Sequence, residues 1–366
     1  MLMDSVFDIF LIPTEILGLI LIYQKCALVC KKWCLIWRST IKSINDVRFL
    51  ELHPNPKFIT KVVCKGDSET LFCPKRFMQL TSLKLYSDLS TTTNPNSELT
   101  ILTNLTKLSV NQFYSPRNFV LTNLKSLSVI NNSSFNSCIT NLTNLTSLRN
   151  HNHYYRCTTH LINLRKMELM CRHDAASILT NLTVLNYTGT LRDESIIKLT
   201  NLTSINIMTN DITNQSISLL TNLTRIDLYA HRAITSAIFV SLTKIKNLNI
   251  SSNTTIDFVP TTLRSLTIDN GIIVSADNLR LLTNLEILKI YDNANGDENI
   301  IFDDILRSMT NLIKLSLPKK DFVFTTIRNL NNLQKLVVEE IDDDHRNYFE
   351  KNGIKIRIKN LTDEFW

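Results

Sequence analysis

The stretch LTNLTKLSV, Leu102–Val110, decides the fold because close variants of it recur along most of the chain. LTNLKSLSV begins at Leu121, and LTNLTSINI begins at Leu199. Successive copies are about 21 residues apart on average, a period typical of stacked repeat coils. The other strong copies begin at Leu142, Leu161, Leu179, Leu220, Leu242, Leu282, Met309 and Leu330, and weaker ones begin at Phe58, Phe77 and Pro260.

Within each copy, the apolar residues have the spacing of a turn followed by a strand. Leu105 belongs to the turn, and Leu108 and Val110 alternate with polar residues as in a β-strand. One such unit cannot bury its apolar edge alone, whereas stacked units bury a continuous core. The sequence therefore predicts an α/β solenoid, a leucine-rich-repeat horseshoe whose parallel strands line a concave face.

The segments between the copies predict short helices and structural side chains. ADNLRLL and FDDILRSM carry apolar residues at loose helical spacing, which predicts single turns of α-helix or 3₁₀ helix. Asn132, Asn210, Asn253 and Asn293 follow the strands, where their amides can satisfy open backbone groups. Residues 46–340 are predicted to hold about 13–14 repeats. Residues 341–366, with a charged stretch, Gly353 and the strand IKIRI, are predicted to form a C-terminal cap.

Composition excludes several classes of site. The 366 residues include only 6 glycines, and the net charge is a mild +7 with scattered Lys and Arg. Few glycines argue against phosphate-binding loops, and the sequence contains no nucleophile elbow and no His-Glu-x-x-His motif. The prediction is a non-enzymatic protein without a cofactor, for which nucleic acid is not the indicated partner.

The most apolar part of the chain, Phe10–Trp37, precedes the repeats. Pro13, Thr14 and Glu15 interrupt it, and the run that remains is too short to span a membrane. An acidic start followed by lysines is the reverse of an export signal. We therefore expect an intracellular protein whose 8 cysteines stay as thiols and whose many Asn-Leu-Thr triplets are by-products of the repeat.

The same segment resembles the F-box, a family that begins with Leu-Pro-x-Glu-Ile/Leu-Leu and ends with a Leu-Val-Cys-Lys-x-Trp helix. The family usually has several more residues between the two parts, where this chain has only QKCA after Tyr23, so the second helix is predicted to be shortened. The residues that carry the resemblance are Ile12, Pro13, Glu15, Ile16, Leu17, Ile20, Leu28, Val29, Cys30 and Trp33.

The resemblance implies a function for residues 1–45 as a helical hairpin. In F-box proteins this segment binds the Skp adaptor of a cullin-RING ubiquitin ligase, and following repeats hold the substrate. The chain would then be a cytoplasmic substrate-recognition adaptor. The alternatives are a stand-alone repeat scaffold, for which the segment is only a helical cap, and a nucleic-acid-binding solenoid. The Asn-, Ile- and Lys-rich repeats also resemble those of large DNA viruses of amoebae, which would place the chain in the host cytoplasm.

Target recognition is predicted for the strand residues that flank the core leucines and point away from them. Tyr and Arg are frequent anchors of protein interfaces. The predicted set is Tyr86, Lys107, Arg149, His151, Lys166, Glu168, Arg225, Asp227, Tyr229, Lys289 and Tyr291.

Two groups of residues raise the question of metal binding. Cys26, Cys30 and Cys34 share one helix face and are interpreted as small buried hydrophobic residues. The second group contains ligand types suited to zinc, but its spacing matches no zinc finger, so no metal site is predicted. It comprises His151, His153, Cys157, His160, Cys171 and His173.

Overall fold

The computed structural model describes fifteen stretches of the chain. Residues 1–42, with the F-box-like segment, lie outside them, as do His151 and the four asparagines that were predicted to follow the strands. The described stretches are residues 43–44, 59–64, 77–86, 99–110, 121–130, 139–150, 160–171, 176–189, 191–208, 211–229, 234–251, 258–269, 276–291, 302–317 and 324–358.

These stretches contain sixteen short β-strands, one in each copy of the repeat phrase and one near each end. They are β1 (Ser43–Ile44), β2 (Lys61–Cys64), β3 (Ser82–Leu85), β4 (Lys107–Val110), β5 (Ser126–Val129), β6 (Ser147–Asn150), β7 (Lys166–Cys171), β8 (Val184–Gly189), β9 (Ser204–Met208), β10 (Arg225–Tyr229), β11 (Asn247–Ser251), β12 (Ser265–Asp269), β13 (Ile287–Ile290), β14 (Lys314–Ser316), β15 (Lys335–Val338) and β16 (Lys355–Ile358).

The chain divides into two compact units, residues 1–112 and 113–366. In the first unit, β1–β4 pair in parallel in chain order, with Leu83 opposite Leu108. In the second unit, β5–β16 also pair in parallel in chain order, with Leu266 opposite Leu288 and Leu288 opposite Leu315. The corresponding leucine of each copy therefore stacks on that of the next, which confirms the predicted parallel sheet.

The core follows the repeat phrase within each unit. In the copy that begins at Leu102, the residues Leu102, Leu105, Leu108 and Val110 are all buried, and Lys107 is exposed between two of them. The alternation along the strand separates one face that packs in the core from one that faces solvent. The apolar spacing read from the sequence thus corresponds to burial.

Helices on the other side of the coils are short, as predicted. A coil of about 21 residues also contains a strand and the turns on either side of it. The remaining residues are enough for one or two helical turns. The α-helices of the described residues are α1 (Asp193–Ile196), α2 (Asn214–Ile217), α3 (Ala276–Arg280), α4 (Phe302–Ser308), α5 (Phe324–Arg328) and α6 (Asp343–Lys351), and the 3₁₀ helices are Ile139–Asn141 and Ser236–Val240. None of these helices is long and apolar enough to cross a membrane.

Asp193, the first residue of α1, links its coil to the next one. Its Oδ1 accepts hydrogen bonds from the backbone N–H of Thr213 at 2.9 Å and the hydroxyl of Ser216 at 2.5 Å, and its Oδ2 accepts one from the Thr213 hydroxyl at 2.6 Å. Burial by itself raises the pKa of Asp193, but the hydrogen bonds from Ser216 and Thr213 bring it below its ordinary value of 3.8. The carboxylate is therefore ionised at neutral pH, and both of its oxygens accept hydrogen bonds.

A second link of the same kind follows one coil later. Asn214, the first residue of α2, accepts the backbone N–H of Thr235 at 2.9 Å and donates to the Thr235 hydroxyl at 2.7 Å. Thr213 and Thr235 also cap their own helices by accepting backbone N–H groups from Gln215 and Ala237. Each cap residue is thus held by the preceding coil.

The C-terminal residues form the predicted helix, glycine turn and strand. The carboxylate of Asp342 caps α6 by accepting the N–H of His345 at 2.8 Å. Gly353 has a φ of 77°, a left-handed conformation that favours glycine, and the Ile354 N–H donates to the Phe349 carbonyl at 2.9 Å. β16 then pairs with β15.

Candidate functional site

Asparagine side chains of the repeat phrase connect successive coils. The Nδ2 of each donates to a backbone carbonyl of the preceding copy, at 2.8 to 3.1 Å. An amide at this place satisfies a carbonyl that the turn leaves open. The residues are Asn104 in the first unit and Asn144, Asn163, Asn181, Asn201, Asn222, Asn311 and Asn332 in the second.

Threonines two positions later form a second row of bonds. The hydroxyl of Thr203 donates to the carbonyl of Thr183 at 3.0 Å, and the same carbonyl accepts the backbone N–H groups of Thr203 and Ser204. Thr106 repeats the arrangement on Thr81 in the first unit, and Thr224 repeats it on Thr203 in the second. Among the described residues, coils that carry Asn and Thr at these places bond the preceding coil through them. The fold is a leucine-rich-repeat solenoid.

The two rows of bonds explain the Asn-Leu-Thr triplets of the leucine-rich repeat. Sequence reasoning treated these triplets as by-products and placed a structural ladder further along, at asparagines outside the described residues. The signal that identifies them is the regular return of Asn and Thr at fixed places in the phrase. The triplets are the hydrogen-bonding part of the repeat.

Asn201→Ala tests the asparagine row. We expect the free energy of unfolding to fall by about 0.5–1.5 kcal/mol, because the change removes the bond to the Thr180 carbonyl at 2.9 Å. Urea denaturation followed by circular dichroism measures it. Thr200→Ala is the matched control, since its exposed side chain makes no hydrogen bond among the described residues. Equal effects of the two substitutions would contradict a role for the amide.

No family model and no curated protein sequence matches the chain. Among solved structures, it is similar to internalin InlF of Listeria monocytogenes, with 20% identity over 78% of this chain and 83% of that one and a TM-score of 0.43. The functional domain of InlJ from the same organism has 16% identity over 79% and 71% of the two chains and a TM-score of 0.46.

A plant protein has a comparable degree of likeness. The leucine-rich-repeat ectodomain of the receptor kinase GASSHO1/SCHENGEN3 from Arabidopsis thaliana was solved in complex with CASPARIAN STRIP INTEGRITY FACTOR 2. Its identity is 16% over 82% of this chain and 42% of that one, with a TM-score of 0.44. At such scores the likenesses carry no weight, and the fold assignment depends on the sheet and the two rows of bonds.

The solvent-facing side of the sheet, opposite the core, carries the residues predicted to bind a target, other than His151, which lies outside the described residues. We refer to this side of the sheet as the outer face. In the first unit, Tyr86 is 39% exposed, and the Nζ of Lys84 lies 4.3 Å from the centre of its ring. In the second unit, Arg149 of β6 and Glu168 of β7 are opposite each other and form an ion pair at 2.8 Å. Lys107 and Lys166 are exposed at the first positions of their strands.

The middle of the second unit holds an Arg, an Asp and a Tyr together. Asp227 corrects the expectation of an exposed side chain, because it is only 4% exposed and its Oδ2 accepts from the Nε of Arg225 at 2.8 Å. On the neighbouring strand β11, Asn249 donates to the Tyr229 hydroxyl at 2.9 Å. Asp227 therefore positions Arg225, and Asn249 positions Tyr229. We refer to these four residues as the β10–β11 cluster.

A shallow groove lies beside the strands in the second unit. It has a volume of about 380 Å³ and crosses three coils, with Lys125 and Arg165 exposed along it. The Asn144 and Asn163 amides and the Thr146 hydroxyl in its wall already donate to backbone carbonyls. The groove therefore offers two cations but few free polar groups.

The last four strands carry a concentration of positive charge. Lys314, Lys335 and Lys355 are the first residues of β14, β15 and β16 and lie opposite one another in the sheet register. Lys289 of β13 and Arg357 of β16 occupy the adjacent outer-face positions. We refer to these five residues as the lysine cluster.

Sequence reasoning selected only Lys289 and Tyr291 in this region. The signal for the rest is visible once the last three strands are aligned by their buried residues, because each begins with Lys. Burial lowers the pKa of Lys314, and the neighbouring charges of Lys289, Lys335 and Arg357 lower it further. The cations thus lie close enough to destabilise one another.

Most of the His and Cys residues that were considered as zinc ligands lie outside the described residues. His151, His153 and Cys157 lie outside the described residues, and His160 is exposed at the start of its repeat. Within the described ranges, no group of three His, Cys, Asp or Glu side chains is arranged to hold a metal ion.

Proposed function

We propose that the chain is a protein-binding scaffold whose outer face holds a partner protein. The observation that supports it best is the β10–β11 cluster, in which Asp227 and Asn249 fix an Arg and a Tyr before any partner arrives. Arg and Tyr dominate the energetics of many interfaces, and side chains held in place lose less entropy on binding. The two rows of inter-coil bonds add to this rigidity.

We further propose that the scaffold is a substrate-recognition adaptor of a cullin-RING ubiquitin ligase and acts in the cytoplasm. Residues 1–45 would bind the Skp adaptor through the F-box-like positions, and the outer face would hold the protein to be ubiquitinated. The support for this is the sequence resemblance. The competing function, a scaffold without ligase recruitment, shares the outer face and lacks the Skp contact.

One experiment separates these functions. Immobilised full-length protein is incubated with amoebal cytosolic extract supplemented with purified Skp adaptor, and bound proteins are quantified by mass spectrometry. Three variants are compared: Ile16→Glu/Ile20→Glu in the F-box-like segment, Arg225→Glu/Tyr229→Ala on the outer face, and Lys198→Glu, an exposed position after α1.

We expect Ile16→Glu/Ile20→Glu to lose Skp at least about tenfold while retaining the other partners, since charges replace residues that resemble the adaptor-binding positions. Arg225→Glu/Tyr229→Ala should retain Skp and lose partners of the outer face, and Lys198→Glu should retain both. If the unaltered chain does not bind Skp, the adaptor function is contradicted and the stand-alone scaffold is the remaining function. If the Arg225→Glu/Tyr229→Ala variant still binds these partners, the β10–β11 cluster is not their binding site.

A further inference from the structure

The lysine cluster has a geometry set by the sheet. Neighbouring strands of a sheet are about 4.8 Å apart, so the ammonium groups of Lys314, Lys335 and Lys355 project from a row about 10 Å long. Lys289 lies on the next strand, opposite Ser316, and is therefore two residues further along the strand direction than this row. Four successive strands thus present cations on the same face over about 14 Å.

Within the described residues, none of the four lysines has a carboxylate at ion-pair distance. Elsewhere on the same face, Arg149 pairs with Glu168 and Arg225 with Asp227. Like charges directly opposite in a sheet are destabilising, and after burial, which is the larger cause, the neighbouring cations lower the pKa of Lys314 further. The folded protein therefore holds a charge arrangement that an anionic ligand would stabilise.

We propose that the lysine cluster binds a carboxylate-rich, extended segment of the partner protein. This rests on the proposed function, because it names the chemistry of a partner held on the outer face. An extended chain rises about 3.3 Å per residue and turns every second side chain to the same side. Acidic residues at alternate positions are then about 6.6 Å apart, so three of them span about 13 Å, close to the width of about 14 Å over which the four strands present lysines.

The surroundings of the cluster favour a short acidic peptide over nucleic acid. Glu339 and Glu340 follow β15, and Asp342, Asp343 and Asp344 cap and begin α6. On the other side, β12 presents the neutral Ser265 and Thr267. A phosphate backbone longer than the cluster would gain no further cations at these positions of β12.

The test measures binding of a fluorescein-labelled peptide, Gly-Glu-Ser-Glu-Ser-Glu-Gly, to the full-length protein by fluorescence anisotropy. Gln replaces Glu in the control peptide, and a single-stranded octanucleotide is the third probe. Lys314→Gln/Lys335→Gln removes two charges from the cluster. Lys198→Gln/Lys246→Gln removes two exposed charges elsewhere and has the same net charge, so it controls for non-specific attraction.

We expect the Glu peptide to bind the unaltered protein and the Lys198→Gln/Lys246→Gln control alike, and to bind Lys314→Gln/Lys335→Gln at least about tenfold more weakly. The Gln peptide should bind none of them. A urea denaturation midpoint of Lys314→Gln/Lys335→Gln at or above that of the unaltered protein shows that this variant is folded, since its charges repel one another less.

Equal binding of the Glu peptide to both double variants, or none to the unaltered protein, would overturn the proposal. Tighter binding of the octanucleotide than of the Glu peptide would overturn it in favour of nucleic acid. These failures are separate from failure of the proposed function, because partner capture through the β10–β11 cluster is measured with the four lysines intact.

Discussion

Leu220→Ala is expected to lower the free energy of unfolding by about 2–5 kcal/mol, whereas Leu219→Ala, one residue earlier, should lower it by less than about 1 kcal/mol. Leu220 is the first leucine of its repeat phrase and is 0% exposed, while Leu219 is 47% exposed. Truncation at Leu220 removes buried methyl groups and leaves a cavity between stacked coils. The same truncation at Leu219 removes side-chain atoms that already contact water.

The backbone does not account for the expected difference. The N–H of Leu220 donates to the Ile217 carbonyl at 3.0 Å, and the Leu220 carbonyl accepts the N–H of Leu223 at 3.0 Å. Both are backbone bonds, so Ala at position 220 keeps them. Urea denaturation followed by circular dichroism measures the two variants against the unaltered protein. Similar losses at the two sites would mean that stability is not set by burial in the repeat core.

Amide hydrogen exchange shows where in the chain the Leu220→Ala and Leu219→Ala variants are destabilised. Each coil of a repeat array contacts chiefly its neighbours, so a local defect weakens nearby coils most. Leu220→Ala should therefore accelerate exchange first in β9, β10 and β11 and leave β15 near its original rate. Uniform acceleration over the second unit would instead indicate that the unit unfolds as one cooperative block.

Asp193→Asn is expected to lower the free energy of unfolding by about 1–3 kcal/mol near neutral pH. The carboxylate accepts three hydrogen bonds from Thr213 and Ser216 of the next coil. An amide keeps one oxygen and puts an N–H₂ donor in place of the other, so the Thr213 hydroxyl loses its acceptor and the remaining bonds lose the strength that the negative charge gives them. Glu194→Gln is the matched control, because it makes the same change of charge at the neighbouring exposed residue.

The effect of Asp193→Asn should depend on pH with a defined sign. Because the pKa of Asp193 in the folded protein is held below its ordinary value of 3.8, ionisation stabilises the folded state at pH values above 3.8. This contribution is lost as the pH falls through the folded pKa. The difference in stability between the unaltered protein and Asp193→Asn is thus largest near neutral pH and shrinks in acid. A difference that stays constant would show that the carboxylate charge is not its source.

The repeat core could be predicted from the sequence because its signal is both local and repeated. Leu102, Leu105, Leu108 and Val110 have the turn and strand spacing within one phrase, and many copies reinforce it. Burial and strand pairing then follow because each repeat stacks on a neighbour with the same apolar positions. The short helices and the C-terminal helix and strand were predictable for the same reason, since apolar spacing and Gly353 mark them.

The bonds between coils were less predictable because their partners are about 20 residues apart. Asn201 has no local acceptor, and its role arises only when a neighbouring coil brings the Thr180 carbonyl within 2.9 Å. Asp193 and Thr213 lie between the repeat phrases, so the spacing of the phrases alone does not pair them. Asp227 was placed among exposed residues by alternation, and its burial depends on the pairing with Arg225.

The asparagine and threonine rows have a consequence for assembly of the chain. Because the same residues recur at these places in many coils, a nascent coil could dock on the wrong neighbour and still make several of these bonds. Links that differ from coil to coil reduce this ambiguity: among the described residues, Asp193 bonds Thr213 and Ser216, Asn214 bonds Thr235, and Arg149 pairs with Glu168. The regular bonds stabilise the contact between any two coils, and the irregular ones favour the correct pair. Each coil therefore packs on its native neighbour as synthesis proceeds.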